Sequence, residues 1–75
     1  MVNTTQLECF MEVANVLNFS RAAERLRITQ PAVSHQINTL ENELEVKLFH
    51  RTSKSVRLTQ EGFLFTQYAG EILKL

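Results

Sequence analysis

The 75-residue chain has no aspartate and no tryptophan, one cysteine, one proline and two glycines. Each shortage excludes something. A lone Cys9 cannot form an intrachain disulfide, which fits a reducing cytosol and rules out a disulfide-stapled scaffold. So little glycine and proline argues against a β-sandwich, which needs many tight turns. No apolar run approaches the ~20 residues that span a bilayer, and no charged segment followed by an apolar run marks a signal peptide. His35 and His50 lie fifteen residues apart with Cys9 far upstream, which is no metal-ligand spacing. No carboxylate pair, nucleophile–base set or glycine-rich phosphate loop is visible, so neither catalysis nor a metal or other cofactor is expected.

What is present is an ordinary single-domain composition, 44% hydrophobic and 21% charged, with no internal repeat. A chain this short buries only ~60% of its unfolded surface, so its core is modest. Formal net charge is zero, but the charges are segregated. Residues 1–20 carry only Glu8 and Glu12, whereas 21–40 carry Arg21, Arg25 and Arg27 against Glu24. Glu41, Glu43 and Glu45 then cluster, and residues 46–60 carry Lys47, Arg51, Lys54 and Arg57 with no acid. Two basic segments around an acidic one can make a domain that is basic on one side.

Apolar periodicity predicts four helices. The first runs from about Thr5 to Leu17, with Thr5 and Glu8 at capping-box spacing and Leu7, Phe10, Met11, Ala14 and Leu17 forming one stripe. Cys9 and Val16 fall off that stripe, either as stray surface apolars or against another helix or subunit. Ser20 reads as the N-cap of a short second helix, Arg21 to Arg27, with Ala22, Ala23 and Leu26 as a small inner face. Thr29 or Gln30 caps the third helix, and Pro31 fits its first turn, where an amide has no intrahelical partner. Val33, Ile37, Leu40 and Leu44 face its core; Ser34, His35, Asn38 and the acidic run from Glu41 to Glu45 form its outer face. Phe49 to Arg51 and Val56 to Leu58 are expected as two short strands around a tip at Thr52 to Ser55, leaning on the helices. Thr59 caps a fourth helix whose apolar face comprises Leu64, Phe65, Tyr68, Ala69, Ile72 and Leu75. It has no C-terminal stop signal and reads as a longer protein cut within a helix.

The stretch ITQPAVSHQI, residues 28–37, opens the third helix without a single acid. Short side chains with donors and acceptors near a helix start are what base edges in the DNA major groove require, and an acid there would be repelled by phosphates. Two helices joined by a tight turn and followed by a basic hairpin make a winged helix-turn-helix. The expected fold is therefore mostly α: a three-helix core plus a short β-hairpin wing, followed by a linker helix. The domain is expected over 1–59, with the helix-turn-helix at 19–38 and the wing at 48–58; residues 60–75 are expected as a linker or dimerisation helix. Arg51, Lys54 and Arg57 stand where a wing lies beside the DNA backbone or minor groove.

From Leu7 to about Leu73 the chain resembles the N-terminal DNA-binding domain of LysR-type transcriptional regulators. The run FSRAAERLRITQPAVSHQINTLENELEVKLFHRTSKSVRLTQEG, residues 19–62, carries the resemblance through its AAERL, TQPAVS, LE, LFHRT and RLTQEG segments. It implies a bacterial, cytoplasmic, nucleoid-associated regulator that binds double-stranded DNA at an interrupted inverted repeat as a homodimer, or as a tetramer at full length. It also implies a C-terminal effector-binding domain, absent from this sequence, through which a small molecule would act. By position, the base-reading candidates are Gln30, Pro31, Ser34, His35 and Asn38. The backbone or wing candidates are Ser20, Arg21, Thr29, Arg51, Lys54 and Arg57, and the dimerisation candidates are Phe63, Phe65, Tyr68, Ile72 and Leu73. Two residues depart from the family pattern: His35 stands where arginine is usual, and Glu45 where glycine is usual at the helix end. A side chain at that corner makes the left-handed conformation costlier. The rival reading is a winged helix that docks on protein instead of DNA, which would need large apolars or acids at the start of the third helix.

Overall fold

The computed structural model describes all residues 1–75. In chain order it contains α1 (Thr4–Val16), α2 (Phe19–Leu26), α3 (Gln30–Leu44), β1 (Phe49–Arg51), β2 (Val56–Leu58) and α4 (Gln60–Leu73). The architecture is the expected winged helix-turn-helix with a following helix. Helix α1 is the hub, since α2 and α3 pack on one side of it and α4 on another. Phe10, Val13, Ile37, Leu40 and Leu48 are fully buried at the centre. The Phe10 ring meets Phe49 at 5.5 Å and Phe65 at 5.2 Å, so one aromatic side chain joins α1 to both the wing and α4.

Several boundaries differ from expectation because a different residue does the capping. Helix α1 starts one residue early. Asn3 accepts the Gln6 amide at 2.8 Å, while the Gln6 side chain accepts the Asn3 amide at 2.8 Å. This reciprocal box displaces the Thr5–Glu8 pair. Gln6 is buried, and its Nε2 also donates to Thr39 Oγ1 at 2.9 Å, tying α1 to α3. Helix α2 is capped by Asn18, whose side chain accepts the Arg21 amide at 2.9 Å. Ser20 is therefore inside the helix and exposed, and Phe19 is its first residue, with a buried ring. Thr29, not Gln30, caps α3. Cys9 and Val16 belong to the core side: Cys9 is buried and Val16 packs against the cluster, whereas Leu17 is an exposed cap residue. Desolvation, reinforced by the neighbouring Glu8 carboxylate, pushes the Cys9 thiol above its ordinary pKa.

Every helix ends on a residue in the left-handed region, and none of the four is glycine: Leu17 (φ 52°), Arg27 (φ 60°), Glu45 (φ 58°) and Lys74 (φ 59°). At the end of α4 the Lys74 and Leu75 amides bond back to Glu71 and Gly70 carbonyls, a closure that the sequence did not signal. Gly62 answers a different need. A Cβ there would lie 2.1 Å from the Leu48 carbonyl oxygen, so only glycine lets α4 start this close to the wing root. Thr59 completes that junction, with its hydroxyl donating to the Lys47 carbonyl at 2.7 Å and accepting the Gly62 amide at 2.9 Å.

The acidic outer face expected from Glu41 to Glu45 is corrected at Glu41, which is only 3% exposed. Its position four residues after Ile37 puts it on the inward stripe, not opposite it. Glu43 and Glu45 are exposed.

No helix is long and apolar enough to cross a membrane.

Candidate nucleic-acid interface

The start of α3 is built by its cap. Thr29 Oγ1 accepts the Ala32 amide at 3.2 Å, and its carbonyl accepts the Val33 amide at 3.1 Å. Arg27, left-handed, turns the chain from α2 into this cap. Val33, Ile37 and Leu40 then anchor α3 inward. That anchoring turns Thr29, Gln30, Pro31, His35 and Asn38 outward as exposed residues, with Ser34 half-exposed. Gln30 Nε2 lies 3.3 Å from Ser34 Oγ, so these two side chains, four residues apart, are linked in a row along the helix. No Asp, Glu, Lys or Arg occurs on α3 before Glu41.

The wing strands pair antiparallel, with Phe49 opposite Leu58, His50 opposite Arg57 and Arg51 opposite Val56. Alternation along the strands splits the wing cations. Arg51 turns to the side of Phe49 and the helices, while His50 and Arg57 share the solvent side. Lys54 sits at the tip. There the Thr52 hydroxyl accepts the amides of Lys54 (3.2 Å) and Ser55 (3.0 Å), and the Thr52 amide donates to the Ser55 carbonyl at 2.9 Å. The tip is thus a closed turn that holds Lys54 outward.

Arg51 is the residue whose surroundings the sequence did not reveal. Its guanidinium lies 4.4 Å from the Phe19 ring centre. Its Nη2 donates to Asn38 Oδ1 at 3.1 Å and stands 3.7 Å from Glu41 Oε1. Lys47 Nζ is 4.0 Å from the same oxygen. Glu41 Oε2 accepts the amides of Leu48 at 2.7 Å and Phe49 at 3.3 Å. One buried carboxylate therefore holds the base of β1 with one oxygen and faces two cations with the other. Arg51 bridges α2, α3 and the wing.

By contrast, Arg21, Lys54 and Arg57 are exposed and make no ion pair within the domain. Arg25 pairs with Glu12 on α1, away from this group. No acidic residue occurs within α3 before Glu41 or anywhere between residues 46 and 60, so the α3 start and the wing carry no acid of their own.

On α4 the dimerisation candidates divide. Phe63 (61% exposed), Tyr68 (65%) and Ile72 (57%) lie outside with Leu64 (52%). Phe65 and Leu73 are instead half-buried against the core, because Phe65 is taken up by Phe10. The spacing of Leu64, Tyr68 and Ile72, four residues each, carried the signal for the exposed stripe.

Comparison with known proteins gives concordant results. Residues 4–63 match the family described as bacterial regulatory helix-turn-helix protein, lysR family. A probable RuBisCO transcriptional regulator from Thalassiosira pseudonana is 44% identical over 93% of the chain and 23% of its own length. An uncharacterized HTH-type transcriptional regulator from Azotobacter vinelandii is 43% identical over 99% of the chain and 51% of its own length. The chain thus spans between about a quarter and half of these relatives. Among solved structures, the CbnR DBD–DNA complex superposes with a TM-score of 0.94 at 36% identity, covering 97% of this chain and 84% of that one. The complex of the BenM DBD with catB site 1 DNA does so at 0.92 and 40% identity, covering 97% and 82%.

Proposed function

The chain belongs to the LysR family of bacterial regulatory helix-turn-helix proteins and is a DNA-binding domain of that family, not an enzyme; we propose that it reads specific double-stranded sequences with the start of α3 in the major groove and the wing along the backbone or minor groove. The observation that carries this reading is the acid-free, exposed start of α3. Gln30, Pro31, Ser34 and His35 stand there on a helix whose other face is locked into the core. Gln30 offers a donor and an acceptor, Ser34 a hydroxyl, Pro31 an apolar contact for a thymine methyl, and His35 a donor for a guanine acceptor. Thr29 at the α3 cap, and Ser20 and Arg21, exposed on α2, are assigned phosphate contacts in this reading. Lys54 and Arg57 supply phosphate contacts that fix position without reading sequence.

Residues 1–59 form the reading head in this proposal, and 60–75 the linker helix. A second copy pairs along Phe63, Leu64, Tyr68 and Ile72, which makes the target an interrupted inverted repeat with half-sites whole helical turns apart. The whole protein carries an effector-binding domain beyond this sequence and acts in the bacterial cytoplasm on the nucleoid.

The test is selection from a random duplex pool at two salt concentrations. An inverted repeat is the expected recovery, and about six phosphates neutralised per dimer give a log K against log salt slope of about −5. Lengthening the spacer by half a turn should abolish tight binding. A slope near −1, or affinity that survives the longer spacer, would overturn the symmetric model. No enrichment at either salt would move the domain to the protein-docking class.

A further inference from the structure

We propose that Asn38, clamped by Arg51, is a donor-only reader that selects guanine over adenine at one position of each half-site. The inference rests on the DNA-reading role above and deepens it.

A free asparagine amide prefers adenine, because its oxygen accepts from N6 while its nitrogen donates to N7. Asn38 is not free. Arginine has no acceptor, so the amide atom facing Arg51 Nη2 at 3.1 Å is necessarily the oxygen. That bond occupies the oxygen with a charged donor, while the nitrogen makes no hydrogen bond within the domain and keeps both protons for a ligand. The clamp is held in turn, since Arg51 also stands 4.4 Å from the Phe19 ring centre and 3.7 Å from the buried Glu41 carboxylate. The cleft between α3 and β1 beside the pair is lined by Asn38, Lys47, Phe49, His50 and Arg51, with no carboxylate among them. A nucleobase that meets this edge therefore finds donors and a cation. Guanine offers two adjacent acceptors, N7 and O6, whereas adenine places its N6 donor beside N7. Asn38 is exposed and continues the row of Gln30 and Ser34 at four-residue spacing, which points it to a base edge and not only to the backbone.

The experiment repeats the duplex selection with the wild-type chain and with Asn38→Ala, Asn38→Asp and Arg51→Met, reading base frequencies column by column. Thermal melting of each variant runs alongside. In the wild type one column per half-site is expected to favour guanine over adenine by about tenfold. Asn38→Ala should flatten that column alone. Asn38→Asp keeps the pair with Arg51 but loses the donors, so guanine should vanish from it. Arg51→Met releases the amide, and the column should turn toward adenine while overall affinity falls. If Arg51→Met does not fold, the two Asn38 variants decide the matter, because Asn38 is exposed. A wild-type motif whose columns are all unmoved by Asn38→Ala, or a uniform loss of affinity across sequences, overturns the inference and leaves the DNA-reading role standing. Absence of any wild-type motif overturns both.

Discussion

Glu41 accepts the Leu48 amide at 2.7 Å from a position almost closed to solvent. The same oxygen takes the Phe49 amide at 3.3 Å, so the first residues of the wing are fastened to α3 by one side chain. A buried amide deprived of its acceptor loses about 1–3 kcal/mol. Glu41→Ala should therefore destabilise the domain by about 2–4 kcal/mol, and Glu41→Gln, which keeps one acceptor oxygen, by about half as much. Urea melts of the two variants check this. Equal losses would show that the charge facing Arg51 and Lys47 matters more than the amide bonds.

The two glycines should respond in opposite ways to alanine. At Gly62 the added methyl meets the Leu48 carbonyl oxygen at 2.1 Å, which backbone on both sides cannot relieve. Gly62→Ala is expected to cost about 3 kcal/mol or more and to loosen the hairpin amides. At Gly70 nothing lies within 4 Å of the new atom, so Gly70→Ala should stabilise α4 by up to about 1 kcal/mol. Paired thermal denaturation curves test both signs.

Glu45 closes α3 with φ at 58°, and its amide bonds back to the carbonyls of Glu41 and Asn42. The side chain is exposed, so little else depends on it. Glu45→Gly should relieve about 1 kcal/mol of left-handed strain. For a domain this size that corresponds to a Tm rise of about 5 °C, measurable by calorimetry.

Cys9 should be inert in the folded domain. Burial first, and the Glu8 charge second, raise its pKa above the unfolded value. The stability attached to this group is fully present below the unfolded thiol pKa and is lost as pH rises through the folded one, because the unfolded chain releases the proton first. Thiol titration with a chromogenic disulfide is expected to be slow at neutral pH and to reach one equivalent in denaturant. Fast reaction of the native protein would contradict the burial.

Removal of two side chains should separate backbone from base contacts. Lys54→Ala is expected to weaken all duplexes about equally and to reduce the dimer's salt slope by about two phosphates, one per subunit. Gln30→Ala should change base preference at one position of each half-site. A uniform loss from Gln30→Ala would assign that residue to the backbone instead. Column-resolved selection with salt titration measures both.

The elements and the acid-free start of α3 were legible in the sequence because periodicity and turn chemistry agreed there: Pro31 after Thr29, and an inward stripe at Val33, Ile37 and Leu40. Capping was less legible, since Asn3 and Asn18 competed with Thr5 and Ser20, and several spacings satisfy the same pattern. Helix α1 hid a second stripe at Gln6, Cys9, Val13 and Val16, spaced three, four and three residues apart. The first stripe alone left Cys9 and Val16 undecided between stray surface apolars and contacts with another helix or subunit, and the structure decides for packing on a second side of α1. Glu41 was misplaced because an acid beside Glu43 and Glu45 looks solvated, although its spacing from Ile37 and Leu44 already put it among core positions. The partner of Arg51 was not legible at all: contact with Asn38, thirteen residues away, depends on how the hairpin folds back on α3.

The junction of Leu48, Thr59 and Gly62 has a mechanical meaning. With the Thr59 amide bonded to the Leu48 carbonyl at 3.0 Å and Gly62 pressed against the same oxygen, the root of the wing and the first turn of α4 have no hinge between them. The fourteen residues of α4 make an arm about 21 Å long. A tilt of about 10° at its root would carry its far end about 4 Å. Wing root and helix start are fastened through two neighbouring carbonyls, those of Lys47 and Leu48, so a displacement of the wing root is passed to the first turn of α4.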